Sequence, residues 1–128
     1  MAFTVATANK ILNKILKGTD FTPAATLYLS LHTATPGETG ANEVVKGSSD
    51  YVRKAVTFGT VANKACDNSA AIEFTNMPTA DITHIGLWDA PTAGNFWWGG
   101  QLSGGVTKSV AAGDTFRVNA NDLDVTLT

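Results

Sequence analysis

The sequence predicts a mainly β fold, a single-domain antiparallel β-sandwich (jelly-roll-like or immunoglobulin-like) of about eight strands with one N-terminal amphipathic helix. Short segments rich in β-branched and aromatic residues alternate apolar and polar positions, as strands do. Turn signals recur about every ten residues, which is typical of sandwiches and barrels. A chain of 128 residues corresponds to one domain and can bury a core without cross-links. The domain is therefore expected to span residues 1–128.

The first element in chain order is predicted to be an amphipathic helix over residues 4–17. Its apolar positions recur at helical spacing and are Val5, Ala8, Ile11, Leu12, Ile15 and Leu16. Thr4 or Thr7 is the expected N-cap, and Gly18 suits the position after the helix. Two interpretations stay open, a helix packed on its own domain and a docking arm on a neighbouring subunit. A membrane role is disfavoured, because the apolar face is short and holds no aromatic residue.

Strands are predicted along most of the remaining chain. Residues 26–32 alternate with three leucines on one face, which predicts a half-buried strand. Residues 33–49 contain one proline and three glycines and are predicted to form a long surface loop. Loops of this length often have a function. Lys54 interrupts the apolar face of the next strand and indicates an edge strand or a snorkelling lysine. Further strands are expected within 51–58, 70–74, 106–110, 115–118 and 123–127.

A hairpin with all three tryptophans is predicted over residues 82–102, with its turn at 89–95. Trp88 is expected in the core. Trp97 and Trp98 are adjacent, so their rings point to opposite faces of a strand. We expect one ring in the core and the other exposed on a contact surface. The alternative is that the protein's own loops cover both rings.

Charge and composition restrict the partners. The formal net charge is −2, so no basic field attracts nucleic acid. Residues 1–64 hold seven Lys/Arg and four Asp/Glu, a balance of +3, whereas residues 65–128 hold two and seven, a balance of −5. This asymmetry fits a head-to-tail contact between copies or a simple solvated surface. No apolar run approaches the roughly 20 residues that span a bilayer, so neither nucleic acid nor a membrane is an expected partner.

Residues that could take part in catalysis or metal binding are few and are scattered along the chain. His32 and His84 lie in predicted strands with no carboxylate at metal-ligand spacing. Cys66 is the single cysteine, which excludes a disulfide within the chain and fits folding in a reducing cytoplasm. Asp122 and Asp124 share a strand face but are too few for a calcium site. We therefore expect no enzyme, no catalytic residue, no metal and no cofactor.

Several segments, in their order along the chain, resemble one family of small tailed-bacteriophage virion proteins, commonly labelled tail fibre or minor structural proteins. The segments lie at 18–33, 36–40, 51–58, 83–90 and 110–116. Together with shorter pieces they extend the resemblance over nearly the whole chain. The resemblance implies a structural role in the virion, assembly in the bacterial host cytoplasm, and no catalytic motif.

The compactness of the domain bears on which virion part is involved. A fibre needs length or a repeat, and the sequence has neither. The sequence therefore favours a small homo-oligomeric head decoration (cement) protein, with a trimer preferred, over a tail-fibre or baseplate-associated protein. The expected partners are other copies and either the major capsid protein or tail and baseplate proteins. A third alternative is binding of host surface glycans, with Trp97 or Trp98 and Tyr28 or Tyr51 stacking on sugar rings.

The candidate interface residues lie on the predicted helix, the first long strand, the long loop and the hairpin. They are Ile11, Ile15, Tyr28, Glu38, Glu43, Trp97 and Trp98.

Overall fold

The computed structural model of the protein describes residues 2–127, which form one α-helix and eleven short strands. The elements are β1 (Ala2–Phe3), α1 (Val5–Lys17), β2 (Leu27–His32), β3 (Lys54–Val56), β4 (Ala65–Asp67), β5 (Ile72–Phe74), β6 (Ala80–Ile82), β7 (His84–Trp88), β8 (Phe96–Gln101), β9 (Lys108–Val110), β10 (Phe116–Val118) and β11 (Asp124–Thr126). A single 3-10 turn, Ser103–Gly105, follows β8. The predicted fold class, antiparallel β with an N-terminal helix, is confirmed. The two outermost residues of the predicted domain, Met1 and Thr128, lie outside the described residues.

A five-stranded sheet with the order β1-β8-β7-β2-β3 forms the centre of the fold. Three two-stranded ribbons, β5–β10, β4–β11 and β6–β9, complete it, and all pairings are antiparallel. The long strands β2, β7 and β8 are all interior to the sheet, whereas each edge strand of the described chain has only two or three residues. Lys54 lies in the edge strand β3, as its position in the sequence indicated.

The predicted tryptophan hairpin is present as β7 and β8, with Leu87 opposite Trp98 and a bulge after Leu87. Its first strand begins two residues later than predicted, because Ile82 belongs to β6 and pairs with Lys108 of β9. Thr83 lies between β6 and β7, and its N–H donates to the His32 carbonyl oxygen at 2.9 Å. The chain therefore changes sheets at Thr83.

The expectation of an exposed tryptophan at the hairpin is wrong. Trp98 is fully buried in the core, and Trp97 on the opposite face is only 9% exposed. The Phe21 ring stacks on Trp97 with 5.3 Å between centroids, and Lys10 of α1 lies over the same ring. Segments distant in the sequence thus cover the outer face, which corresponds to the alternative considered above.

Strand β2 also differs from its prediction, because it is buried on both faces rather than one. Ser30 and His32 lie opposite the leucine face and are 0% exposed. The 33–49 loop folds over them and buries its own Pro36 and Val44. Period-two alternation indicates the leucine face but does not show that a loop will cover the polar one.

The strands are shorter than predicted, and three of the eleven, β1, β4 and β6, were not predicted as separate strands. Only Lys54–Val56 of the segment 51–58 is strand. Strand β4 lies in segment 59–68, for which the sequence predicts a connection between two strands. It carries no apolar alternation and is strand because Cys66 pairs with Val125 of β11.

Candidate interaction surface

The start of α1 is fixed to the sheet and to the 33–49 loop. The Thr4 N–H donates to the Trp97 carbonyl oxygen at 2.9 Å. The Thr4 hydroxyl caps the helix by accepting the Thr7 N–H at 3.2 Å. A carboxylate oxygen of Glu38 accepts the Val5 N–H at 2.7 Å, where the helix dipole favours negative charge. The helix therefore leaves the sheet in one defined direction.

The body of α1 rests on the domain through its lysine side. The ammonium nitrogen of Lys10 lies 5.7 Å from the ring centroids of both Phe21 and Trp97, a cation–π arrangement. Lys14 reaches Asp20 at 4.0 Å near the helix end. Gly18 then ends the helix in the left-handed region at φ 64°. The N-terminal end of the helix and Lys10 thus contact the domain, whereas Lys14 pairs with a residue just after the helix.

The apolar side of the helix consequently faces solvent. Val5, Leu12, Ile15 and Leu16, named here the helix stripe, are exposed by 61, 54, 75 and 74%. The one fully buried residue of α1 is Thr7. An amphipathic helix normally turns its apolar stripe toward its own core, and α1 does not.

A groove beside the helix extends the apolar surface. It has a volume of about 360 Å³ and is lined by residues of α1, β1, the end of β11 and Leu127. Ile11 and Leu12 form its helix wall, and Leu127, itself half exposed, forms the opposite wall. Leu12 belongs to both the helix stripe and this groove, so the two adjoin at this residue.

On the hairpin side, Arg53 organises a compact network. Its guanidinium lies 3.6 Å from the Trp88 ring centroid and pairs with Glu43 at 2.9 Å. It also donates to two carbonyl oxygens of the turn 89–95, at 3.2 and 2.8 Å. The Tyr51 hydroxyl donates to Glu43 at 2.8 Å, and burial raises the pKa of the Tyr51 phenol. Glu43, whose side chain is 23% exposed, is therefore bound by Arg53 and Tyr51 of its own domain.

A buried hydrogen-bonded chain lies beneath Trp88. The Ala41 carbonyl can only accept, so the His32 Nδ1–H donates to it at 2.7 Å. The neutral ring then accepts the Ser30 hydroxyl at Nε2, also at 2.7 Å. Ser30 in turn accepts the Trp88 indole N–H at 2.9 Å. Burial lowers the pKa of His32, and this Ser–His pair, fully enclosed, stabilises the fold without reaching any substrate.

A second, larger groove of about 680 Å³ lies among the ribbons and has Leu102, Val106 and Phe116 among its apolar residues. Asp124 lies at this groove, and a hydrogen bond with Asp67 raises the pKa of its carboxyl.

In residues 2–127 no group of three or more His, Cys, Asp or Glu side chains is arranged to hold a metal ion. No helix in the same range has the length and apolarity for crossing a membrane.

The structure brings some of the expected interface residues together and separates others. Ile11, Ile15, Glu38 and Trp97 meet at α1, where Ile15 is exposed, Ile11 is half-buried and Trp97 lies beneath the helix. Tyr28 is half-buried and pairs with Trp88 in the sheet. The exposed contributors not singled out from the sequence are Val5, Leu12, Leu16 and Leu127. Helical spacing marks the first three as apolar, but it cannot show which side of the helix meets its own domain.

Comparison with protein families places these features in context. The profile of the family described as podophage GP4 fiber I protein gp80 matches residues 2–126. A comparison with curated proteins gives no match. The family match extends along nearly all of the chain, in agreement with the phage resemblance noted in the sequence. The chain therefore belongs to the podophage GP4 fiber I protein gp80 family and is a bacteriophage structural protein, a component of the virion.

Proposed function

We propose that the protein is a non-enzymatic structural subunit of a fibre-like part of the virion, associated with the tail or baseplate. The observation that carries this proposal is the match to a family described as a fiber protein over residues 2–126. Sequence reasoning preferred head decoration and kept the fibre role as the alternative. The family description supports that alternative better.

The interior of the domain supports a structural role. The pair closest to a catalytic arrangement is Ser30 and His32. Both side chains are enclosed and hydrogen-bonded within the domain. The Cys66 thiol is half-buried and lies 3.4 Å from the Gly59 carbonyl oxygen. The exposed apolar surface at α1 is therefore a more suitable feature for contacts with other molecules than these groups.

Head decoration stays the second candidate, because a compact β domain without a sequence repeat suits a module bound many times to a symmetric shell. Host-glycan binding has less support. Trp97, Trp98 and Tyr51 are at least nine-tenths buried, so their rings cannot stack on a sugar in this conformation. We therefore leave glycan binding out of the proposal.

Copy number per purified virion separates the two candidates. We would measure it by quantitative mass spectrometry, with the major capsid protein as the internal standard. A few to a few dozen copies would support the tail or baseplate role. Hundreds of copies in a simple ratio to the capsid protein would overturn it in favour of decoration. Antibody labelling of intact particles provides an independent readout, at the tail for the proposed role and over the whole head for the competing one.

A further inference from the structure

We propose that the 33–49 loop is an acid-sensitive strap, which neutral His32 holds closed against the sheet and which opens when this ring takes up a proton. Opening also releases the start of α1, because Glu38 of the loop is bonded there. This inference goes beyond the proposed function, since it concerns a conformational change and does not depend on where the protein lies in the virion.

The two limbs of the loop are hydrogen-bonded to each other. The Ala41 N–H donates to the Pro36 carbonyl oxygen at 2.9 Å, and the Thr33 N–H donates to the Asn42 carbonyl oxygen at 3.0 Å. The Asn42 side-chain amide donates to the Thr35 carbonyl oxygen at 2.9 Å. A movement of one limb therefore carries the other limb with it, and the loop opens as a unit.

The second limb of the loop makes the contacts with the sheet. The His32 Nδ1–H donates to the Ala41 carbonyl oxygen at 2.7 Å, and the Val44 N–H donates to the Leu31 carbonyl oxygen at 2.9 Å. The tip at Gly40 packs by its backbone alone, because a Cβ there would overlap the Trp88 ring. With a φ of 75° and this close approach, the position requires glycine. The tip therefore covers the buried Trp88 ring without inserting a side chain, and opening exposes that ring to solvent.

The closed loop has no suitable place for a second proton on His32. Its Nε2 accepts the Ser30 hydroxyl, and the Ser30 oxygen accepts the Trp88 indole N–H. A proton on Nε2 directs two N–H groups at the Ser30 oxygen and leaves the hydroxyl hydrogen without the acceptor that it uses now. The ring is also fully buried, and burial penalises its charged form. Proton uptake therefore favours the open loop, in which water can solvate the ring.

The charged groups around His32 leave this preference in place. Burial has the largest influence and lowers the pKa of His32 below the ordinary 6.5. The Ala41 carbonyl and Glu43 act in the opposite direction, whereas Arg53 and His84 add to the effect of burial. Glu43 is already paired with Arg53 at 2.9 Å, which offsets its attraction for a second cation. As pH falls below 6.5, the open form takes up the proton first and the opening equilibrium rises.

The test is amide hydrogen exchange of the full chain, followed by NMR at pH 7 and pH 5. Rates are expressed as protection factors, which removes the direct effect of pH on exchange chemistry. The reporter is the Val44 amide, whose N–H bonds from the loop to the sheet. One proton and an open-state pKa of 6.5 limit the change in opening to about 25-fold. We expect the protection of Val44 to fall by about 5- to 25-fold, while the amides of β7 stay better protected at both pH values.

Two variants identify the titrating group. His32→Gln is expected to remove the pH dependence of the Val44 protection, whatever its level at pH 7. His84→Gln is the matched control, because His84 lies opposite His32 in the neighbouring strand but is bonded to the Thr83 hydroxyl instead. It is expected to keep the wild-type pH dependence. Near-ultraviolet circular dichroism checks that each variant is folded.

Several outcomes would overturn the proposal. A fall of less than threefold in the wild type would do so, as would a pH dependence that survives in His32→Gln or disappears in His84→Gln. Equal protection of Val44 and the β7 amides at both pH values would also do so, because only global unfolding would then expose the loop. If His32→Gln does not fold, the wild type and His84→Gln still decide between these outcomes.

The Val5 amide tests the connection to the helix, because its N–H donates to Glu38. It is expected to lose protection together with Val44 in the wild type, and to show no such loss in His32→Gln. A Val5 amide that keeps its protection while Val44 loses it would overturn the release of α1. None of these outcomes depends on the copy number in the virion, so this proposal and the proposed function fail separately.

Discussion

The hairpin region and the helix region of this protein differ in the exposure of their side chains. Around β2, β7 and β8, the polar chain from Ala41 through His32 and Ser30 to Trp88 is closed within the domain. Around α1, four large aliphatic side chains are more than half exposed. The first region is enclosed by the domain, although the indole nitrogens of Trp97 and Trp98 have no hydrogen-bond partner there, and the second region is exposed.

The difference teaches that residue type is a poor guide to which side chains this chain exposes. Tryptophan is common at the centre of interfaces, which makes Trp97 and Trp98 candidates, whereas Glu43 is a candidate because it lies in the long loop. The structure uses them to cover the core, to fill it and to hold Arg53. The surface that remains is aliphatic and lies on the helix, so exposed apolar area is the better guide.

The strongest test of the hairpin region is the substitution Trp88→Ala. It removes a buried ring, its stacking with Arg53 and its hydrogen bond to Ser30, so we expect a loss of about 3–5 kcal/mol in the free energy of unfolding. Urea unfolding at one fixed protein concentration would measure it. Leu12→Ala on the exposed stripe is the control, expected to cost less than about 1 kcal/mol. Equal losses for the two variants would contradict the comparison.

Gly86→Ala tests the packing beneath the hairpin. A Cβ at this position would lie 2.4 Å from a Phe96 ring carbon and 2.9 Å from the Ser30 hydroxyl oxygen. We expect a loss of about 1–3 kcal/mol, because overpacking displaces fixed side chains. Gly59→Ala is the matched control, since its nearest atom would be 3.5 Å away. Both variants are compared by urea unfolding, and an unchanged midpoint for Gly86→Ala would show that the site can relax.

The pH dependence of unfolding sharpens the comparison at His32. Burial lowers its folded-state pKa below the ordinary 6.5. Above pH 6.5 the ring is neutral in both states and its contribution is complete; as pH falls below 6.5, the unfolded chain takes up the proton first and stability is lost. One proton limits the slope to about 1.4 kcal/mol per pH unit.

We would measure that slope as the difference between wild type and His32→Gln, in urea unfolding from about pH 8 to 5. The subtraction removes the contributions of the carboxylates common to both proteins. Parallel pH profiles would show that His32 does not titrate differently in the two states.

The smallest expected change in stability is at Glu38, which connects the 33–49 loop to the start of α1. Glu38→Gln keeps an oxygen that can accept the Val5 N–H but removes the charge near the helix dipole, so we expect a loss of about 0.5 kcal/mol. Glu38→Ala removes both and is expected to cost more. Unfolding followed at 222 nm measures the difference, and equal stability of wild type and Glu38→Gln would exclude a role for the charge.

The features that could be predicted from the sequence are those determined by neighbouring residues. Thr4 and Gly18 bound α1 because caps act within one turn of the helix. The hairpin of β7 and β8 could be predicted because two apolar runs flank a turn of Asp, Pro, Gly and Asn.

The remaining features depend on contacts between residues far apart in the chain. Phe21 covers Trp97, and the 33–49 loop supplies the Ala41 carbonyl that orients His32. Neither contact leaves a periodic signal. The orientation of α1 likewise depends on Lys10 and the rings beneath it, so the stripe could be recognised as apolar but not as exposed.

The short edges of the sheets have a consequence for crowding on a particle. Exposed strand edges invite another chain to add a strand by backbone pairing, which leads to disordered aggregation. Here β1 and β3 offer two and three residues of edge, and the ribbons of the described chain offer three residues each. Copies held close together therefore have little backbone on which to polymerise. Contacts between them are left to side chains, whose shape and spacing can select one geometry.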